Sequence, residues 1–139
     1  MRPAKGERER MFTVYSTDDG RNLPIEYLPA GAIVPKRGMA LVQSGGNLAV
    51  CTGANVPTYI SMIEKEAAVD AGEIIPVVRV TPGVIWKTNS SVAMTSIKLG
   101  QKVTIDSTGM LVTATTGDNG AEVVYIEDTA AGGCVHVRF

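Results

Sequence analysis

Few side chains of the kind that carry out chemistry occur in this 139-residue sequence. The single histidine, His136, lies between Val135 and Val137 near the C-terminus. A general base needs a nucleophile and an orienting partner, and the sequence offers no residues from which such a triad can be assembled. We therefore expect His136 to face solvent or an interface, and a single histidine does not predict a metal site.

The acidic residues occur in or beside predicted turns, where carboxylates commonly bind backbone N–H groups. The glycine pairs Gly45-Gly46 and Gly132-Gly133 are not followed by a helix-forming segment, so they predict hairpin turns and not a phosphate-binding loop. Residues 106–109 resemble the start of a calcium loop but lack the remaining ligands. We expect no catalytic residue, no cofactor and no metal, and hence no enzymatic activity.

The two cysteines, Cys51 and Cys134, have neither CxxC spacing nor a histidine-rich neighbourhood. This argues against a zinc site. The simplest interpretation is a reduced pair of small residues, buried or half-buried in the fold. A disulfide between them stays open as the alternative.

The composition excludes several classes of partner. Hydrophobic residues make up 45% of the chain and charged residues 19%, with a formal net charge of −1, so no overall basic field favours nucleic acid or an acidic membrane. Only residues 1–10 are locally basic, which is typical of a solvated tail. The sequence contains no run of eighteen apolar residues and no signal peptide, so we expect a soluble product made in the cytoplasm.

The chain contains an internal duplication, because residues 36–80 can be aligned with residues 98–139. Gly46-Asn47-Leu48 matches Gly109-Met110-Leu111 at a shift of sixty-three positions (109 − 46). Each copy has short β-favouring segments separated by glycine turns and predicts two hairpins. The sequence therefore predicts an all-β fold, a small β-barrel or sandwich built of duplicated two-hairpin units.

Alternation along the last strand predicts which of its side chains face the core. Val135, Val137 and Phe139 should point one way, with Cys134, His136 and Arg138 pointing the other. In the alignment of the copies, Val78-Arg79-Val80 corresponds to Val137-Arg138-Phe139. The same inward and outward assignment then holds in both copies.

Residues 1–35 precede the copies and form a tail and an extended arm. Residues 36–139 form a single β-domain, which includes both copies and the connector between them at residues 81–97. Three prolines and a glycine between Leu23 and Pro35 exclude a helix, so this arm either packs on its own domain or reaches a neighbouring subunit. Trp86 in the connector is either a core residue or an exposed contact anchor. The residues predicted to contact a partner are Phe12, Tyr15, Tyr27, Leu28, Pro29 and Trp86.

The order of several short motifs along the chain is similar to that of a known protein family. A Lys-x-Gly segment, Lys36-Arg37-Gly38, is followed by a glycine turn and a strand, then by Ala67-Ala68 with Gly72-Glu73 before the valine-rich strand Val77-Val78-Arg79-Val80. Lys98-Leu99-Gly100 opens the same order in the second copy. This pattern resembles the capsid decoration, or cement, proteins of tailed bacteriophages over about residues 31–139.

The resemblance implies a virion structural protein on the outer surface of an icosahedral capsid, where it bridges major capsid subunits and stabilises the shell. It also implies association with neighbouring copies, with a trimer favoured. A second hypothesis is a β-barrel recognition module of a tail or fibre that binds a host glycan or protein, with Trp86 as its anchor. Both hypotheses concern binding, and neither requires a catalytic residue.

Overall fold

The structure is a computed structural model that describes residues 10–20 and 22–139. These residues form eleven β-strands and no helix, which confirms the all-β prediction. The strands are β1 (Thr13–Thr17), β2 (Ile25–Pro29), β3 (Ala40–Ser44), β4 (Asn47–Val50), β5 (Tyr59–Ser61), β6 (Ile74–Arg79), β7 (Val84–Asn89), β8 (Lys102–Ile105), β9 (Val112–Gly117), β10 (Ala121–Ile126) and β11 (Cys134–Arg138).

The strands form two antiparallel sheets that are arranged like a sandwich. The six-stranded sheet has the order β1-β7-β11-β10-β8-β9, and the five-stranded sheet has the order β2-β6-β5-β3-β4. Neither sheet closes into a barrel within the described residues, although β4 and the segment after β2 meet at a single parallel bridge between Ala30 and Leu48. Ser90 and Val112 form the same kind of bridge between the segment after β7 and β9.

The duplication is present in the topology of the sheets. Adding five to each strand number of the order β2-β6-β5-β3-β4 gives β7-β11-β10-β8-β9, so β1 is the one described strand without a counterpart. We call β2–β6 the first half and β7–β11 the second half. Leu28 pairs with Ile75, and Thr88 pairs with Val135, so both strands of this pair recur at a shift of sixty positions (88 − 28 and 135 − 75).

The structural repeat differs from the two copies aligned in the sequence. It includes β2, which comes from the predicted arm, and β7, which comes from the predicted connector. The arm therefore packs on its own domain, the first of the two alternatives, since β1 pairs with β7 and β2 pairs with β6. The sequence does not reveal this equivalence because the residues of β2 and β7 that face outward differ in character.

Two local alignments from the sequence are also wrong by one position. Leu48 lies opposite Gln43 and Val112 lies opposite Ile105, and both hairpins make the equivalent bridge, so Leu48 corresponds to Val112 and not to Leu111. In the same way the shift of sixty matches Val77, and not Val78, with Val137. The cause is different spacing between the strands of the two halves, which an alignment of short similar segments does not detect.

Inward and outward alternation follows the prediction in the last strand. Val135 and Val137 are fully buried and Arg138 is exposed. Phe139 is half-buried, and its ring meets that of Phe12 edge-on with the centroids 5.6 Å apart. The larger core cluster contains residues of both sheets, and a second cluster that includes Leu41, Leu48, Ile75 and Val77 is built from residues of the first half.

Gly109 lies where the two halves are in contact. Its carbonyl accepts a hydrogen bond of 2.7 Å from the backbone N–H of Ala40, and Gly53 and Ile105 exchange two more bonds nearby, at 2.8 and 2.9 Å. Gly109 has φ of 74°, and a Cβ at this position would lie 2.6 Å from Cγ1 of Val50. The positive φ and the close approach together require glycine here.

Candidate interaction surface

Four of the nine large apolar side chains that are exposed among the described residues lie on the two edge strands that come from the predicted arm. Val14 and Tyr15 lie on β1, and Ile25 and Tyr27 lie on β2. Ile74, on the neighbouring strand β6, adds to the apolar surface beside β2. Exposed apolar groups that gather on one part of a surface are typical of a contact site.

The predicted contact residues fall into two groups. Tyr15 and Tyr27 are 59% and 67% exposed, and Leu28 and Pro29 are half-buried at the edge of the five-stranded sheet. Phe12 and Trp86 are only 2% and 1% exposed, so neither is an exposed contact anchor, and their contact with a partner stays a prediction. Both rings belong to the core between the sheets, where large apolar side chains gain most from burial.

The free edge of β2 presents backbone groups that no strand of its own sheet binds. Pro76 accepts a hydrogen bond of 3.0 Å from the N–H of Met62, so its carbonyl faces β5. In an antiparallel sheet a residue directly opposite such a position has its N–H and C=O turned the other way. Tyr27 is opposite Pro76, so the backbone groups of Tyr27 point outward from the sheet, and by the same alternation those of Ile25 do too.

The second half shows what such an edge binds. Tyr27 and Ile25 correspond to Lys87 and Ile85 at the shift of sixty, and in the second half β1 lies against these two residues, with Thr13 opposite Lys87. The first half has no described strand in the equivalent position. The edge of β2 is therefore an open place for one more antiparallel strand.

A groove of about 380 Å³ lies beside this edge. Phe12, Val14, Leu23 and Ile25 line it, and Trp86 contributes to its lining as well. Because Trp86 is almost wholly buried, the groove reaches the core between the sheets. An apolar side chain from a strand added at the edge would find an apolar surface to pack on.

His136 is buried on the outer face of the six-stranded sheet, so of the two expected positions, solvent or an interface, the structure excludes solvent. The centroid of its ring lies 4.2 Å from that of Tyr15 and 5.4 Å from that of Tyr125. Its Nε2 lies 2.6 Å from Oε2 of Glu127, and only 7% of the side chain is exposed. The cover comes from Tyr15 on β1, which is remote from His136 in sequence, and from Tyr125 on β10, which lies directly opposite His136 in the hairpin.

Electrostatic surroundings favour the charged form of Glu127. The hydrogen bond with His136 is the largest effect that lowers the pKa of this carboxyl, followed by a hydrogen bond from Cys134, with further attraction from Lys87. The Nε2 of His136 faces the carboxylate of Glu127 and not a thiol. The arrangement therefore differs from a Cys-His catalytic pair, in which the imidazole takes the thiol proton.

The same three side chains form a set of possible metal ligands. One ligand atom each from Glu127, Cys134 and His136 lie within 4.8 Å of one another. Sequence reasoning missed this set because it looked for CxxC spacing and for several histidines. The available signal was the Cys-x-His spacing on one strand, which puts both side chains on one face, with Glu127 on the facing strand of the hairpin.

The structure agrees with the predictions of two reduced cysteines and of a turn at Asp106. Cys51 is buried, Cys134 is half-buried, and both are thiols rather than partners in a disulfide. Burial raises the pKa of the Cys51 thiol to about 11. Asp106 accepts hydrogen bonds from the backbone N–H groups of Thr108 and Leu111, at 3.1 and 3.4 Å, which is the turn role expected of it.

No helix among residues 10–20 and 22–139 combines the length and the apolar character needed to cross a membrane. No protein-family model matches the chain, and no curated protein matches it. The edge of β2, the groove beside it and the cluster around His136 are thus the features from which function has to be inferred.

Proposed function

We propose that this protein is a virion structural protein that decorates the outer surface of an icosahedral phage capsid and stabilises the shell by bridging major capsid subunits. The observation that carries the proposal is the edge of β2, where no strand among residues 10–20 and 22–139 takes the place that β1 has at the equivalent edge of the second half. An extended segment of a shell subunit is the proposed occupant. The protein is made in the host cytoplasm and acts on the virion.

Strand addition suits this role because its affinity comes from backbone hydrogen bonds and needs no deep pocket. The outward groups of Ile25 and Tyr27 supply donors and acceptors, and the side chains of Ile25, Tyr27 and Ile74 supply apolar surface. Each site needs only modest affinity, because a subunit that bridges two capsomers gains effective concentration from its second contact. Association of copies as a trimer remains a prediction from the resemblance.

A charged side chain at the centre of the edge should block attachment. The Tyr27→Asp variant places a carboxylate on the edge strand beside the position of a partner strand, and charges on edge strands are known to prevent such pairing. Leu99→Asp is the matched control, because Leu99 is 61% exposed and lies in the loop before β8. Purified variants are mixed with undecorated expanded shells, and bound protein is measured by sedimentation and by imaging of the particles.

We expect saturable binding of the parent protein and of Leu99→Asp at lattice-related positions, with a higher temperature of shell disruption, and at least tenfold weaker binding of Tyr27→Asp. Tyr27→Pro gives a second test, because it removes an outward N–H without breaking a hydrogen bond of the chain's own sheet. Absence of binding by the parent protein would exclude the proposed function. Normal binding by both Tyr27 variants would exclude the edge of β2 as the site.

The structure changes one experiment that the sequence suggests. Deletion of residues 1–30 tests a separate arm, but here it would remove both β1 and β2 from their sheets. Single substitutions at the edge are therefore the better test. The hypothesis of a glycan-binding fibre module loses its proposed anchor, because Trp86 is a core residue.

A further inference from the structure

The internal duplication allows the cluster around His136 to be compared with the same place in the other half. At the shift of sixty, Cys134 corresponds to Ile74 and His136 corresponds to Pro76. The first half thus forms the same strand pair with two apolar residues that cannot bind a metal. The fold does not require polar ligands here, so Cys134 and His136 need an explanation of their own.

We propose that Glu127, Cys134 and His136 bind one divalent cation of the zinc class. A carboxylate, a thiolate and an imidazole are ligands that zinc accepts, and three protein ligands leave the fourth tetrahedral position for water. Cys134 and His136 point to one face of β11, and Glu127 joins them from across the hairpin, where its backbone N–H binds the carbonyl of Cys134 at 3.0 Å.

The geometry needs only a small adjustment to hold the ion. Zinc bond lengths of about 2.0–2.3 Å at tetrahedral angles put ligand atoms about 3.4–3.6 Å apart. The Nε2 of His136 and Oε2 of Glu127 are 2.6 Å apart in their direct hydrogen bond. They must move apart by about 1 Å to reach the separation of two zinc ligands. The Glu127 side chain is 46% exposed and has room to move, which also leaves a path for the ion to enter.

The surroundings hold the imidazole in place. Tyr15 and Tyr125 pack against the ring of His136, which fixes its orientation and shields it from solvent. Binding converts the thiol of Cys134 into a thiolate, so the proton that it donates to Glu127 leaves to solvent as the metal enters. Metal binding should consequently release a proton and tie together β10 and β11.

Cobalt titration of the full chain, prepared without a polyhistidine tag, tests the proposal. We expect a near-ultraviolet thiolate-to-cobalt absorption band that saturates at one ion per chain and disappears when zinc is added, since zinc binds such sites more tightly. Cys134→Ser should abolish the band. Cys51→Ser is the matched control and should retain it, because the buried Cys51 thiol has a pKa of about 11 and stays protonated.

Glu127→Gln and His136→Gln, checked for folding by circular dichroism, should each weaken cobalt binding by at least tenfold. Absence of the band in the parent protein would overturn the proposal without any variant, and would leave the cluster as a hydrogen-bonded ion pair. A band that persists in Cys134→Ser, or that neither the Glu127 nor the His136 variant weakens, would overturn it as well. None of these results depends on whether the protein binds capsid shells.

Discussion

Gly46 and Gly109 are aligned in the sequence, yet the structure predicts that replacing them with alanine has different consequences. Both have positive φ, 88° and 74°, which costs a residue with a Cβ about 1–2 kcal/mol. At Gly46 a Cβ would meet nothing within 4 Å, whereas at Gly109 it would lie 2.6 Å from Cγ1 of Val50. Overpacking of this kind costs about 1–3 kcal/mol more.

We therefore expect Gly46→Ala to lower the free energy of unfolding by about 1–2 kcal/mol and Gly109→Ala to lower it by about 2–5 kcal/mol. Urea denaturation followed by circular dichroism and by the fluorescence of the buried Trp86 measures both values. In a double-mutant cycle, Val50→Ala should restore part of the loss in Gly109→Ala, because it removes the atom that the new Cβ meets.

Equal losses for the two alanine variants would refute the reasoning, because of these two glycines only Gly109 has a neighbour that an added Cβ would meet. Absence of coupling between the substitutions at Val50 and Gly109 would show that these residues are not in contact. Either result would also call into question the close approach of the two halves at Gly109.

Two further predictions concern the core and the cluster on the outer face. Trp86→Ala should lower the free energy of unfolding by about 3–5 kcal/mol. Trp86→Phe should lower it less, because the indole N–H has no acceptor among the described residues and no hydrogen bond is lost with it. Urea denaturation followed by circular dichroism measures both losses, and equal losses would contradict the prediction. The Glu127 carboxyl has a lowered pKa in the folded protein, so its stabilising effect is complete above the unfolded value of about 4.3 and is lost as pH falls through the folded value. Denaturation of the parent and of Glu127→Gln across pH should show a stability difference that shrinks in acid, and a constant difference would contradict the assignment.

Features of the fold that depend on residues close together in the sequence could be predicted, and features that depend on contacts between distant residues could not. The glycine hairpins and the alternation of Val135 and Val137 are local signals, and the structure confirms them. The burial of His136 depends on Tyr15, more than a hundred residues earlier in the chain, and no local pattern indicates that contact. Trp86 was ambiguous for the same reason, since its neighbours in sequence do not show that two sheets enclose it.

The candidate sites were harder to predict because they arise from differences between the halves. The sequence alignment emphasised segments that recur, and these are mostly turns and inward-facing residues that the fold itself requires. The open edge at Tyr27 becomes visible only when β2 is matched with β7, whose edge is covered by β1. That match required the pairing of the strands, since Tyr27 and Lys87 share no chemical property.

A duplicated fold therefore provides its own control for separating structural residues from functional ones. Positions that are apolar and buried in both halves, such as Val77 and Val137, are explained by packing. Positions at which the halves diverge on the outer face, such as Pro76 and His136, are not required by the strand pair itself, because the same pair forms with either residue. Exchanging His136 for proline should therefore leave both sheets formed, should lower stability through the lost contacts with Tyr15, Tyr125 and Glu127, and should change what the second half binds. A loss of folding in His136→Pro, measured by circular dichroism, would show that the two halves are not interchangeable at this position and would remove the basis for the comparison.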